Sequence, residues 1–206
     1  EFLMGDDYHM LADEVASLAA DGSRVLLFAA SDTLPAEGMD TQISITPLAL
    51  VTLINAVRPH AKETFSYFVE QGVTVKVISG DNPVTASAAA VRAGIPGADR
   101  YVDASTLSDA KLVEAVRSCT VFGRVTPMQK RTIIRALRRA GHTVAMTGDG
   151  VNDILALKEA NCSIAMASGS EIACRIAQLV LLDSDFSAMP AVVSEGRRVI
   201  NNIERT

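Results

Sequence analysis

Two carboxylates and a carboxamide fall within five residues in the segment Met146-Thr147-Gly148-Asp149-Gly150-Val151-Asn152-Asp153. The segment follows an apolar, strand-like run and leads into a helical pattern, which puts it at the carboxyl end of a strand. Open α/β sheets hold ligands at such ends. Gly148 and Gly150 permit a tight turn and a close backbone approach. Asp149 and Asp153 offer hard anionic oxygens, with Asn152 as a neutral ligand or orienter. That donor set suits Mg²⁺, which keeps several waters and shares its shell with phosphate. A lone Gly-Asp-Gly is ordinary turn chemistry; the whole octet after a strand asks for more.

A second strand-like run ends in Ile78-Ser79-Gly80-Asp81-Asn82-Pro83. It places a hydroxyl and free backbone N–H groups where a strand gives way to a helix, a natural cradle for phosphate oxygens. The third segment is Gly123-Arg124-Val125-Thr126-Pro127-Met128-Gln129-Lys130. Thr126-Pro127 reads as a cap followed by the first helical residue. Lys130 then sits near the first turn, where a cation gains nothing from the helix dipole, so a bound anion explains it better. Arg131, Arg135, Arg138 and Arg139 read as a solvated face of the same helix.

These turns need a scaffold that brings strand ends together. Strand-like runs are expected at residues 24–30, 48–57, 73–78, 120–122, 142–146, 163–166 and 178–182, with helices at 83–92, 106–119, 126–139, 154–160 and 188–205. Alternation at this spacing is the signature of an α/β fold with a doubly wound parallel sheet. Residues 32–41 are the most loop-like, and a hinge is expected near residues 55–59, where Arg58-Pro59 interrupts an apolar run. His9, His60 and His142 are far apart without metal spacing, and Met4, Met10, Met128, Met146, Met166 and Met189 read as packing.

In order and spacing the three segments resemble the second, third and fourth motifs of the haloacid-dehalogenase superfamily. More narrowly they resemble P-type cation-transporting ATPases. Thr147 to Asp153, followed by Ala156-Leu157-Lys158, is similar to that family's hinge motif, and Ser79-Gly80-Asp81-Asn82 to its TGDN. Glu1 is similar to the end of the nucleotide domain's KGAPE motif, and Asn201-Asn202 to the asparagines before the fifth membrane helix. Arg58-Pro59 with Lys62-Glu63-Thr64-Phe65, and Cys162 to Ser170, are most similar to the bacterial cation-transporting ATPase E group, which is associated with calcium.

The resemblance implies a role for each matched residue. Asp149 would bind Mg²⁺, with Asn152 and Asp153 completing and orienting the site. Ser79 and Gly80 would hold the transferred phosphoryl group, and Lys130 would neutralise its charge. Asp81 and Arg124 would face the nucleotide, and Arg24 would touch the ATP phosphates. Residues 1–55 would be the tail of a nucleotide-binding domain, 56–186 a haloacid-dehalogenase-like phosphorylation domain, and 187–206 a stalk helix leading toward the membrane. Ser79 stands where the family has Thr, which keeps the hydroxyl, and Ile154-Leu155 replaces its Ala-Pro. The DKTGT segment, whose Asp is phosphorylated in the family, does not occur in this sequence. The implied fold therefore lacks its central first strand, and the chain reads as a piece of a longer pump cut at both ends. ATP, a transported cation and the membrane are the implied partners, with this segment on the cytoplasmic side of the cell membrane. The alternatives are a soluble phosphatase of the same superfamily and a non-catalytic domain that binds Mg²⁺ or phosphate.

Composition narrows the classes further. In 206 residues, 49% are apolar and 21% charged, enough to bury a core. A net charge of -5 and an aromatic content of 4% without Trp argue against nucleic acid as a partner. Cys119, Cys162 and Cys174 show no paired spacing, which excludes a disulfide scaffold and a zinc knuckle. No apolar run reaches the roughly 18 residues that a spanning helix needs.

Overall fold

The computed structural model describes residues 7–20, 23–31, 45–54 and 56–205. Expectations for Glu1, Met4, residues 32–41 and Asn55 lie outside them. The chain divides into two compact units, Glu1–Ala56 and Val57–Thr206.

The first unit holds helix α1 (Asp7–Ala20) and the strands β1 (Arg24–Ser31) and β2 (Ile45–Leu53). The strands pair antiparallel from Arg24 opposite Leu53 to Ser31 opposite Ile45, with an irregularity between Phe28 and Ala29. β2 starts and stops earlier than the apolar run predicted, and Ile54 beyond it is exposed.

In the second unit the elements are α2 (Ala61–Glu70), β3 (Val77–Ile78), α3 (Pro83–Arg92), β4 (Tyr101–Asp103), α4 (Asp109–Ser118), β5 (Val121–Gly123) and α5 (Pro127–Arg139). They continue as β6 (Ala145–Gly148), α6 (Ile154–Glu159), β7 (Cys162–Met166), α7 (Glu171–Ile176), β8 (Leu179–Leu181) and α8 (Met189–Glu204). All strand pairs here are parallel, in two three-stranded sheets ordered β3-β5-β4 and β6-β7-β8. β3 and β6 are each an edge strand, so the ladder is interrupted between them.

Helix α5 serves both sheets. Its buried neighbours Ile133 and Ile134 fall in different core clusters, Ile133 with Phe122, Leu112 and Val116, Ile134 with Met146, Leu157 and Ala165. Ile78 and Leu137 pack against both clusters. A third core, of Phe68, Ile164, Leu181 and Met189, fixes α2 and the start of α8, with the Phe186 ring tilted against Phe68 at 5.6 Å between centroids. No described helix is long and apolar enough to cross a membrane.

Several boundaries differ from the sequence reading for local reasons. Only Val77 and Ile78 of residues 73–78 join the ladder, because the Val73 N–H is taken by the carbonyl of Phe68 at the end of α2. β6 begins at Ala145 instead of His142, because the Val144 N–H goes to the Asn161 side chain at 3.0 Å. α4 starts late, since residues Ala104–Thr106 form a separate 3₁₀ turn.

Candidate active site

A cleft of about 490 Å³ opens where β3 and β6 end, lined by Ser79, Gly80, Asp81, Lys130, Thr147, Gly148, Asp149 and Asp153, with Ile78, Met146 and Met166 as its apolar wall. The three sequence segments therefore converge on one place.

The first wall is built by the turn after β3. The Ser79 N–H donates to the Phe122 carbonyl (2.9 Å), which keeps the turn in line with β5. The Asp81 N–H turns back onto Ser79 Oγ (3.1 Å), and Asn82 caps α3 by accepting the Val84 N–H at 2.9 Å. Gly80 keeps its own N–H free of any acceptor among the described residues. A Cβ added at Gly80 would meet no atom within 4 Å, so no internal neighbour requires glycine there.

The turn after β5 is latched onto this one. Arg124 and Val125 donate N–H to the carbonyls of Asp81 (2.8 Å) and Ser79 (3.0 Å). Gly123 has to be glycine, since a Cβ would stand 2.4 Å from Pro83. The α5 cap is a reciprocal pair in which Thr126 and Gln129 each bond the other's backbone N–H. One residue on, Lys130 reaches across to the loop after β6.

The opposite wall is the loop after β6. Asp153 is buried and its carboxylate is fully engaged. Oδ2 accepts the N–H groups of Asp149 (3.2 Å) and Gly150 (3.1 Å), while Oδ1 accepts from Lys130 Nζ at 2.7 Å. Lys130 and Asp153 side chains are only 13% and 9% exposed, so this is a desolvated ion pair and not a solvated surface lysine. A Cβ on Gly148 would lie 2.6 Å from Asp153 Cβ, which is why the turn needs glycine there. Asp149, in contrast, is exposed and its carboxylate has no partner among the described residues, while its carbonyl accepts the Ser170 N–H at 2.6 Å. Asn152 is exposed beside it.

Of the remaining predicted site residues, Arg124 stands at the end of β5 and pairs with Asp103 at 3.0 Å. Arg24 lies on β1 in the first unit, exposed. Of the arginines expected to form a solvated face, Arg139 is exposed, whereas Arg131, Arg135 and Arg138 gather on Glu159. Arg131 Nε (3.0 Å) and Arg135 Nη2 (2.9 Å) both bond Glu159 Oε2, and Arg138 donates to the Glu159 carbonyl at 2.6 Å. The hydrogen bonds from Arg135 and then Arg131 pull the Glu159 carboxyl down to about 2. Met128 is exposed, not packed. Asp103 and Glu159 went unnoticed in the sequence: β4 is too short to show periodicity, and the α5–α6 pairing joins residues far apart in the chain.

The haloacid dehalogenase-like hydrolase family matches residues 4–161. Over 197 residues the chain is 50% identical to the calcium-transporting ATPase CtpE of Mycolicibacterium smegmatis, covering 95% of this chain and 24% of that protein. It is also 50% identical over 183 residues to the probable cation-transporting ATPase exp7 of Streptococcus pneumoniae, covering 88% and 24%. The chain thus spans about a quarter of the length of these relatives. Among solved structures, a zinc-transporting PIB-type ATPase in its E2.Pi state superposes with a TM-score of 0.67 at 22% identity, over 96% of this chain and 26% of that one. That likeness concerns the fold. Strand-end turns converging on one cleft, and a family match over most of the length, lead to one assignment: the chain belongs to the haloacid dehalogenase-like hydrolases.

Proposed function

We propose that this chain is part of a P-type cation-transporting ATPase and supplies most of the cleft in which a phosphoryl group passes from ATP to an aspartate and then to water. The observation that carries the reading is the convergence of Ser79, Gly80, Lys130 and Asp149 on one cleft at the ends of β3 and β6. The names of the relatives support a cation pump with calcium as the first cation to test, and in this reading the pump lies in the cell membrane with this segment on the cytoplasmic side. Residues 1–55 belong to the nucleotide-binding domain in this reading, 56–186 to the phosphorylation domain, and 187–206 to a helix that leads toward the membrane. Asp81 and Arg124 face ATP in the same reading.

The chain's own groups divide the work. The free Gly80 N–H and the Ser79 hydroxyl cradle phosphoryl oxygens, and Lys130 neutralises charge that develops on them. Such preorganised donors contribute most where water is excluded. Asp153 holds Lys130 and the Asp149–Gly150 backbone in place, and its three bonds support an orienting role. Asp149 and Asn152 would hold Mg²⁺; their oxygens suit that ion, and the carboxylate of Asp149 is unclaimed. Among the described residues no three His, Cys, Asp or Glu side chains gather to hold a metal alone, which fits an ion that shares its shell with phosphate. Magnesium, when bound, supplies further neutralisation of the phosphoryl oxygens. The interrupted ladder between β3 and β6 is where a strand bearing the phosphorylated Asp would pair.

The test is made on the full-length protein in membrane vesicles. Radiolabelled ATP should give a hydroxylamine-sensitive phosphoprotein, and Lys130→Ala should lower its rate of formation on the order of 100-fold or more. ATP-driven calcium uptake should accompany it. Absence of the label in the unaltered protein would overturn the pump reading, and label without uptake of any cation would favour a phosphatase.

A further inference from the structure

Arg124 is held at both ends. Its backbone lies at φ 51°, a left-handed conformation that a side chain disfavours. The N–H bond to the Asp81 carbonyl and the neighbouring Val125–Ser79 bond keep it there. At the other end, Arg124 Nη1 donates to Asp103 Oδ2 at 3.0 Å. Asp103 is in turn fixed by Ser105, whose N–H (3.0 Å) and Oγ–H (2.6 Å) both donate to the other carboxylate oxygen, Oδ1. The loop behind it is tied down as well, by Gln129 Nε2 donating to the Ala104 carbonyl at 2.8 Å.

An ordinary surface ion pair joins two mobile side chains and contributes little. Here the carboxylate is anchored by two bonds of its own, and the arginine rises from a strained, latched backbone. The Arg124 side chain is half exposed (54%), and the other N–H groups of its guanidinium have no partner among the described residues. An arginine immobilised before a ligand arrives loses less side-chain entropy on binding, which favours affinity.

We infer that Asp103 is a positioning residue: it holds the Arg124 guanidinium, with donors free, toward the oxygen acceptors of a nucleoside triphosphate. This rests on the proposal above that Arg124 faces ATP. The Ser105 hydroxyl, with help from Arg124, holds the Asp103 carboxyl below its ordinary range, so the pair persists further into acid than an unassisted aspartate would allow.

Steady-state ATP hydrolysis by the full-length pump separates the two ideas. Asp103→Asn keeps an acceptor for Ser105 but removes the charge that holds Arg124. It should raise the KM for ATP roughly three- to tenfold with kcat and melting temperature little changed, as expected for lost preorganisation. Arg124→Ala should raise KM at least as far, and adding Asp103→Asn to it should do nothing more. A raised KM in Arg124→Ala alone, or additive effects in the double variant, would overturn the positioning role and leave the nucleotide role of Arg124 standing. An unchanged KM in Arg124→Ala would overturn both. A fall in kcat and melting temperature without a KM change would make Asp103 structural and also overturn the inference.

Discussion

A Cβ placed on Gly169 would stand 2.3 Å from the carbonyl oxygen of Asp149 and 2.9 Å from its Cα. The turn between β7 and α7 is thus seated directly against the backbone that carries the free carboxylate, and the Ser170 N–H completes the contact. No flexible side-chain end is available to yield, so an added methyl must displace one loop or the other.

With Asp149 as the proposed Mg²⁺ ligand, Gly169→Ala should weaken Mg²⁺ binding by about tenfold or more, the range seen when the support of a metal ligand is disturbed. Magnesium titration of this chain, followed by NMR shifts of residues 148–153, reads the effect without any catalytic assay. Equal Mg²⁺ affinity in the two proteins would show that the loop gives way elsewhere.

Gly80 presents the opposite case. Its Cβ would meet nothing within 4 Å and its φ is not positive, so Gly80→Ala should leave the unfolding free energy within about 0.5 kcal/mol of the parent. The methyl would nevertheless enter space beside the cleft that Gly80 lines. On the proposed function, phosphoprotein formation in the full-length protein should fall, on the order of tenfold, while urea unfolding midpoints coincide. A loss of stability matching the loss of label would remove the phosphate-cradle interpretation of Gly80.

Glu159 ties α6 to three arginines of α5, and its carboxyl lies near 2 against an ordinary 4.5. A depressed carboxyl stabilises the fold fully above its unfolded value and loses that contribution as pH falls toward the folded one. Glu159→Gln should accordingly unfold at lower urea than the parent at pH 7. The gap should close between roughly pH 4.5 and pH 2, when the parent's carboxyl protonates. Parallel stability curves through that window would refute the arginine cluster as the cause.

Much of the site was legible because its signals are local. Pro83 and Asn82, Thr126 and Pro127, and the glycines about Asp149 each specify a turn or a cap within four or five residues, and each lies where the sequence placed it. The parallel strands follow from the alternation of helical and strand-like runs between those turns. What the sequence alone left open depends on residues distant along the chain. The partner of Lys130 is 23 positions away, and the clamp on Arg124 begins 21 positions earlier in a three-residue strand without periodicity. The Gly169 requirement arises only because the β7–α7 turn touches the Asp149 backbone. Likewise the arginines of α5 read as solvated until α6 packs beside them and supplies Glu159. Turn and cap preferences are set by near neighbours, whereas burial, ion-pair partners and steric fit are set by packing between elements, which only the tertiary structure decides.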